Sequence, residues 1–347
     1  MQNKEDIILI EVRNLVKKYG NHVAVDNLSF TVEKGQVYGF LGPNGAGKST
    51  TMNILIGYIS ATEGEVLING HSIFDEPLEA KKCIGYLPEI PPLYLDMTVK
   101  EYLNFAAELK QIKKSERKQM VQEAMEKTKI VDVSKRLIKQ LSKGYKQRVG
   151  LAQAILGYPE IINLDEPTVG LDPKQIIEIR DLIKELSKNH TIILSSHIMQ
   201  EISAVCDHIL IINKGKLVAC DTPENLAEMN KAQNEVRVVV KAAKEDVKNL
   251  LESNSKIKKF KVEPAEEDGC VTAVITTGEE EEIKEQLFRI FAKADYPVFS
   301  MTTTEKSLEE IFLQLTGDAI ANTKEPKKEK KGFFKSKKKK SEEEDEK

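Results

Sequence analysis

Residues Gly42 to Thr50 read GPNGAGKST, a glycine-rich run ending in Lys-Ser-Thr. Glycines let successive backbone N–H groups turn inward around phosphate oxygens, where side chains would obstruct. The spacing G-x-x-x-x-G-K-[ST] sets Lys48 to reach β- and γ-phosphates and the Ser49 hydroxyl to take a Mg²⁺ position. The apolar VYGFLG precedes the run and the helix-like TTMNILIGYI follows, so a helix N-terminus adds positive potential at the phosphates. A second element, IINLDEP, ends an apolar strand on two carboxylates. The C-terminal edge of a sheet is where α/β folds gather ligands. There Asp165 suits Mg²⁺ coordination, and Glu166 suits polarising a water for in-line attack on a γ-phosphate. His197 ends the strand-like TIILSS. A lone His at a strand end is more often structural, but a neighbouring strand end would bring this one near the γ-phosphate.

The stretch QLSKGYKQR, Gln140 to Arg148, is harder to place. It stands just before the apolar VGLAQAIL, and its first turn carries a Gly, a Tyr and cations in place of packing residues. That turn faces something other than the core of its own chain.

These residues need elements to hold them. Residues 7–230 alternate strand-like and helix-like segments, which predicts α/β units around a largely parallel sheet. Between Pro91 and Leu156 the pattern turns helical, and Thr98 and Glu101 have capping-box spacing. Residues 91–156 are therefore expected to form a helical subdomain inserted into the α/β core. From Glu235 the order becomes βαββαβ, the split pattern of ferredoxin-like domains, with SLEEIFLQLTG closing the unit at Gly317. This gives an ATPase-type domain over 7–230, an accessory α+β domain over 235–317 and a low-complexity, disordered charged tail over 318–347. In that tail GFFKSKKKK could attract anionic lipid, but SEEEDEK follows at once and offsets it.

Composition removes several classes. At 347 residues the chain suits about two domains, and 40% hydrophobic content can build a sizeable core. A net charge of −3 argues neither for nor against nucleic acid. The four cysteines are scattered without CxxC pairs, which reads as buried free thiols and not as a disulfide framework or zinc site. The N-terminus lacks the basic region of a signal peptide, and no window approaches the roughly 18 apolar residues of a membrane span. The expectation is a cytosolic chain that meets a membrane only through a partner.

From about Glu11 to Leu226 the chain resembles the nucleotide-binding subunit of an ATP-binding cassette (ABC) transporter. KKYG matches the aromatic loop, GPNGAGKST the phosphate loop, LSKGYKQR the signature loop, IINLDEP the Walker B strand, GLDP the D-loop and SSH the histidine switch. The resemblance implies ATP and Mg²⁺ as cofactors. It implies nucleotide contacts from Tyr19, which would stack on adenine, and from Gly42, Pro43, Asn44, Gly45, Ala46, Gly47, Lys48, Ser49 and Thr50. Lys48, Glu166 and His197 would act in catalysis, with Ser49, Glu89 and Asp165 at the metal. In this family two subunits pack head to tail, so Ser142, Gly144 and Asp172 would serve the nucleotide of the neighbouring chain. That answers what the first turn at Ser142 faces. Two departures stand out: Lys143 and Tyr145 replace a Gly and the Gln of the common Leu-Ser-Gly-Gly-Gln, and Glu89 in GYLPE replaces a Gln. Both resemble the branch with ABC-2 export permeases. The implied partners are integral membrane permease subunits, contacted near Leu93 and Tyr94, and a second copy or a paralogous ATPase subunit. The implied location is the inner face of the cell membrane. A non-transport ABC protein acting on nucleic acid or ribosomes is the rival, but the chain has one cassette and no basic aromatic-bearing domain, so no nucleic acid is expected. A P-loop kinase conflicts with the signature loop and the Asp-Glu pair.

Overall fold

The computed structural model describes residues 7–228, 234–254, 257, 259–265, 267–277, 280–304 and 308–317. The tail over 318–347, expected to be disordered, lies outside the described residues.

The chain begins with two long strands, β1 (Ile8–Tyr19) and β2 (His22–Glu33), paired antiparallel. With β4 (Glu63–Ile68) and β5 (His71–Ser72), which α2 (Pro77–Lys82) follows, they form a four-stranded sheet in the order β2-β1-β4-β5. The sequence did not announce this antiparallel layer. Register shifts along β1 and left-handed residues at Asn14 (φ 48) and Asn27 (φ 54) interrupt the period-two alternation that marks such strands.

The second sheet holds the site. Its strands are β3 (Val37–Leu41), β6 (Ile84–Leu87), β7 (Ile161–Leu164), β8 (Thr191–Ser196), β9 (His208–Asn213) and β10 (Lys216–Asp221). The order is β10-β9-β3-β8-β7-β6, parallel except for the β9–β10 edge. Every residue of β3, β7 and β8 is buried, as expected of strands covered on both faces.

Three helices between Pro91 and Leu156 stand on this core: α3 (Val99–Leu109), α4 (Lys114–Lys127) and α5 (Lys143–Ile155). The capping box is present, with the Thr98 N–H donating to Glu101 Oε2 at 2.8 Å and the Glu101 N–H to Thr98 Oγ1 at 3.3 Å. The far end of α5 is closed by a cation. Lys110 Nζ donates to the Ala154 and Leu156 carbonyls at 3.0 and 2.8 Å, and burial pushes its pKa down to about 8.

Strands β11 (Asn234–Lys241), β12 (Phe260–Pro264), β13 (Cys270–Thr277) and β14 (Val298–Thr304) form an antiparallel sheet in the order β12-β13-β11-β14. This is the order a βαββαβ chain generates. Val236, Val238 and Val240 bury one face with Leu251 of α9 (Lys244–Glu252) and Leu287 and Phe291 of α10 (Glu280–Lys293). The final helix, α11 (Leu308–Thr316), does not close this unit as its sequence suggested. It lies on the cassette against α7 (Met199–Ser203), α8 (Pro223–Glu228) and β9. Leu308 and Phe312 pack on the cassette core, and Asn213 Nδ2 donates to the Thr316 carbonyl at 2.6 Å. The accessory sheet already has two helices on its apolar face, so the stripe Leu308–Ile311–Phe312 finds its partner elsewhere.

The four thiols are free, but only Cys206 and Cys270 are buried; Cys83 is half-buried and Cys220 exposed. Among the described residues no helix is long and apolar enough to cross a membrane.

Candidate nucleotide site

The phosphate loop joins β3 to α1 (Lys48–Leu55) at the C-terminal edge of the parallel sheet. Two glycines are sterically required. A Cβ at Gly42 would meet the Ile212 carbonyl oxygen at 2.3 Å, and Gly47, at φ 107, lies against the Ala24 carbonyl. Lys48 is 6% exposed, and its Nζ donates to the Gly42 carbonyl at 2.7 Å and the Pro43 carbonyl at 3.3 Å. Burial lowers the Lys48 pKa, while the carboxylates of Glu166 and Asp165 oppose that shift.

Asp165 and Glu166 leave the end of β7 side by side and both are buried. Ser195, inside β8 and fully buried, joins them: its Oγ donates to Asp165 Oδ1 at 2.6 Å and accepts from the Glu166 N–H at 2.9 Å. Glu166 adopts φ 46, a left-handed conformation costly for a non-glycine residue. That carboxylate stands 3.9 Å from Lys48 Nζ and accepts from His197 Nδ1 at 3.1 Å. Burial raises the Glu166 pKa; His197 and Lys48 pull it back, and Asp165 adds to the rise.

An open cleft of about 460 Å³ collects Tyr19, Asn44, Gly45, Gly47, Lys48, Ser49, Thr50, Glu89, Glu166 and His197 on one wall system. Tyr19 ends β1, 49% exposed, with the Lys17 ammonium 5.1 Å from its ring centroid. His22, Ala24 and Val169 also line this cleft and were missed by sequence reasoning. His22 reaches the cleft because it pairs with Tyr19 across the β1–β2 turn. Glu201 was missed too, although it is a buried acid four residues beyond His197.

Ser142, Gly144 and Asp172 are absent from the cleft lining. Ser142 caps α5, accepting from the Tyr145 N–H, and Asp172 caps α6 (Pro173–Ser187), accepting from the Gln175 N–H at 2.9 Å. The two caps adjoin. A Cβ on Gly144 would meet the Gln175 side chain at 2.8 Å, and Lys143 Nζ lies against Gly170. Tyr145 does not point from this surface as a phosphate ligand would; its hydroxyl donates to Asp132 Oδ2 at 3.0 Å, with the Arg148 guanidinium 5.6 Å from its ring. Of the predicted residues, Gly42, Pro43, Ala46 and Asp165 do not line the cleft, Ser142 and Asp172 form an exposed double cap with Gly144 buried beside it, and the others line the cleft.

Residues 25–169 match the family model described as ABC transporter. The chain is similar to the bacitracin transport ATP-binding protein BcrA of Bacillus licheniformis, 36% identical over 311 residues that cover 89% of this chain and 97% of that protein. It is similar to the linearmycin resistance ATP-binding protein LnrL of Bacillus subtilis (strain 168), 30% identical over 310 residues, 89% of this chain and 98% of that one. Among solved structures, a dimeric ATP-binding cassette in a post-hydrolysis state, bound to ADP and Pi, matches with a TM-score of 0.56 at 26% identity, over 61% of this chain and 98% of that one. The chain belongs to the ABC transporter family. Within it this protein is an ATP-binding, ATP-hydrolysing subunit, with an α/β P-loop core, an inserted helical subdomain and an accessory α+β sheet.

Proposed function

We propose that this subunit drives export through separate ABC-2 type permease subunits, by ATP-dependent closure of a dimer with two composite sites. The observation that carries the reading is the division of the site residues. One group surrounds the cleft at Lys48, while the double cap of Ser142 and Asp172 stands exposed and outside it. A helix N-terminus with a free face is suited to an anion, and in a head-to-tail pair that anion is the γ-phosphate held by the other chain.

Within each site Tyr19 stacks on adenine, the loop from Gly42 to Thr50 wraps the phosphates, and Lys48 exchanges its carbonyl partners for phosphate oxygens. Glu166, raised in pKa and held by His197, polarises the attacking water. Ser49, Asp165 and Glu89 are the oxygen donors that would hold Mg²⁺. Among the described residues no group of three or more His, Cys, Asp or Glu gathers for a metal. That sparse set fits Mg²⁺, which keeps waters and phosphate oxygens as its other ligands. When bound, the ion neutralises charge on the β- and γ-phosphates.

Ile90, Tyr94 and Leu95 are 80, 54 and 49% exposed beside the helical subdomain, which supports a permease contact there; Leu93 instead packs into the subdomain. Such a contact would hold the protein on the inner face of the membrane. The names of the bacitracin and linearmycin relatives support an antimicrobial compound as cargo.

The test is a mixture. Lys48→Ala breaks one half-site and Ser142→Arg the other, so each variant alone forms dimers with two broken sites. A hybrid dimer contains one site built wholly from unaltered elements, and ATPase activity should reappear on mixing. No recovery in a mixture shown by cross-linking to contain hybrids, together with no nucleotide trapped in them, would overturn the composite site.

A further inference from the structure

Glu201 lies on α7, 7% exposed, four residues past His197 and outside the cleft. One of its oxygens, Oε2, accepts from two hydroxyls: Thr168 Oγ1 at 2.5 Å and Ser196 Oγ at 3.1 Å. Each hydroxyl belongs to a segment that carries a reacting group. Thr168 sits in the tight turn that begins at Glu166, where the Val169 N–H donates to the Glu166 carbonyl and the Leu171 N–H to the Thr168 carbonyl, both at 3.2 Å. Ser196 precedes His197, and its Oγ also accepts from the Ile198 N–H at 3.1 Å, which fixes its rotor.

We infer that Glu201 is a positioning residue for hydrolysis: its buried carboxylate ties the turn after Glu166 to the strand end that carries His197. The Glu166–His197 contact spans two strands, β7 and β8, and each side chain leaves its strand through an irregular segment. Ser195, within β8 itself, ties that strand to the first residues after β7, at Asp165 and the Glu166 N–H. Glu201 does the same on the far side, so the pair is held from both flanks. Without the carboxylate, two buried hydroxyls lose their acceptor, and the cheapest relief is for the turn or the strand end to move. A displacement of about 1 Å at a reacting group can cost on the order of 10²-fold in rate. α7 itself packs on β3 and β8, so the anchor stands on the same sheet as the groups it holds.

This inference rests on Glu166 and His197 being the reacting pair, and Glu166→Gln in the full-length chain is its control. If that variant turns over normally, the site reading fails whatever Glu201 does. With the control satisfied, Glu201→Ala should lower kcat about 10- to 100-fold while the Kd of a fluorescent ATP analogue stays within about threefold. Glu201→Gln, which keeps an acceptor oxygen, should recover most of the rate. Thr168→Val should lower kcat alone, Thr168→Ser should restore it, and Glu201→Ala with Thr168→Val should be no slower than the worse single variant. If Glu201→Ala does not fold, the Thr168 pair carries the test. Unchanged kcat in Glu201→Ala or Thr168→Val, a parallel loss of nucleotide affinity, or additive losses in the double variant would overturn it.

Discussion

Replacing Glu166 by Gln separates what this carboxylate does for the fold from what it does for turnover. The amide keeps the shape and can still accept from His197, but the charge is gone. At 3.9 Å from Lys48 Nζ, the lost attraction is about 4 kcal/mol at an effective dielectric of 20. Removing a buried charge returns a desolvation cost of several kcal/mol. The direction of the Glu166 pKa shift says which is larger. It is raised, with burial as the largest cause, so the charged form is disfavoured in the folded chain despite Lys48 and His197. A carboxyl whose folded pKa exceeds its unfolded one binds more protons when folded, so its contribution to stability is lost as pH rises through the folded value. Glu166→Gln should therefore not lower stability at neutral pH, and should lack that part of the pH dependence. Turnover should instead fall about 10²- to 10⁴-fold, with ATP binding intact. Urea unfolding of the nucleotide-free chain across pH gives the first quantity, and phosphate release with size-exclusion chromatography gives the second, where ATP should hold a dimer. Near-normal phosphate release, or a stability loss beyond about 3 kcal/mol, would refute the reasoning.

Two further variants follow from packing. Lys110→Met removes the hydrogen bonds that close α5 together with a charge whose burial is itself unfavourable, so stability in urea unfolding at pH 7 should stay within about 1 kcal/mol of wild type. Because the Lys110 pKa is lowered to about 8, the unfolded chain binds the extra proton above that value, so wild-type stability should rise toward pH 10 by a component absent from Lys110→Met. Ile311 is 1% exposed on α11, and Ile311→Ala should cost about 2–4 kcal/mol, read as a lower melting temperature of the ATPase core and not only of the accessory sheet.

The parts of this protein legible in its sequence are those where chemistry is local. The phosphate loop, the Asp165–Glu166 strand end and the cap at Thr98 each fit within a few residues, and the structure places the first two on one sheet edge. What escaped reading depends on partners far along the chain. Ser195 looks like part of an apolar strand until β7 lies beside it and supplies Asp165. Glu201 looks like a solvated helix residue until Thr168 and Ser196 converge on it. The β1–β2 layer was hidden by its bulges, and α11 by the fact that an apolar stripe announces burial without naming the surface that buries it.

The docking of α11 changes what the accessory sheet is. The chain leaves the cassette after α8 and comes back to it as α11, which packs against α8 itself. The sheet is therefore a guest inserted in a host, with both its ends fixed close together, and is not a pendant hung from one strand of chain. Its freedom to swing is that of a loop closed at its base. One backbone cut on either side of the sheet would leave the host's last helix seated by its own contacts, so a nicked chain should run as one particle in native chromatography and part only in denaturant. New termini placed within the guest would likewise leave the host's contact between α8 and α11 in place, which makes the sheet a site for circular permutation.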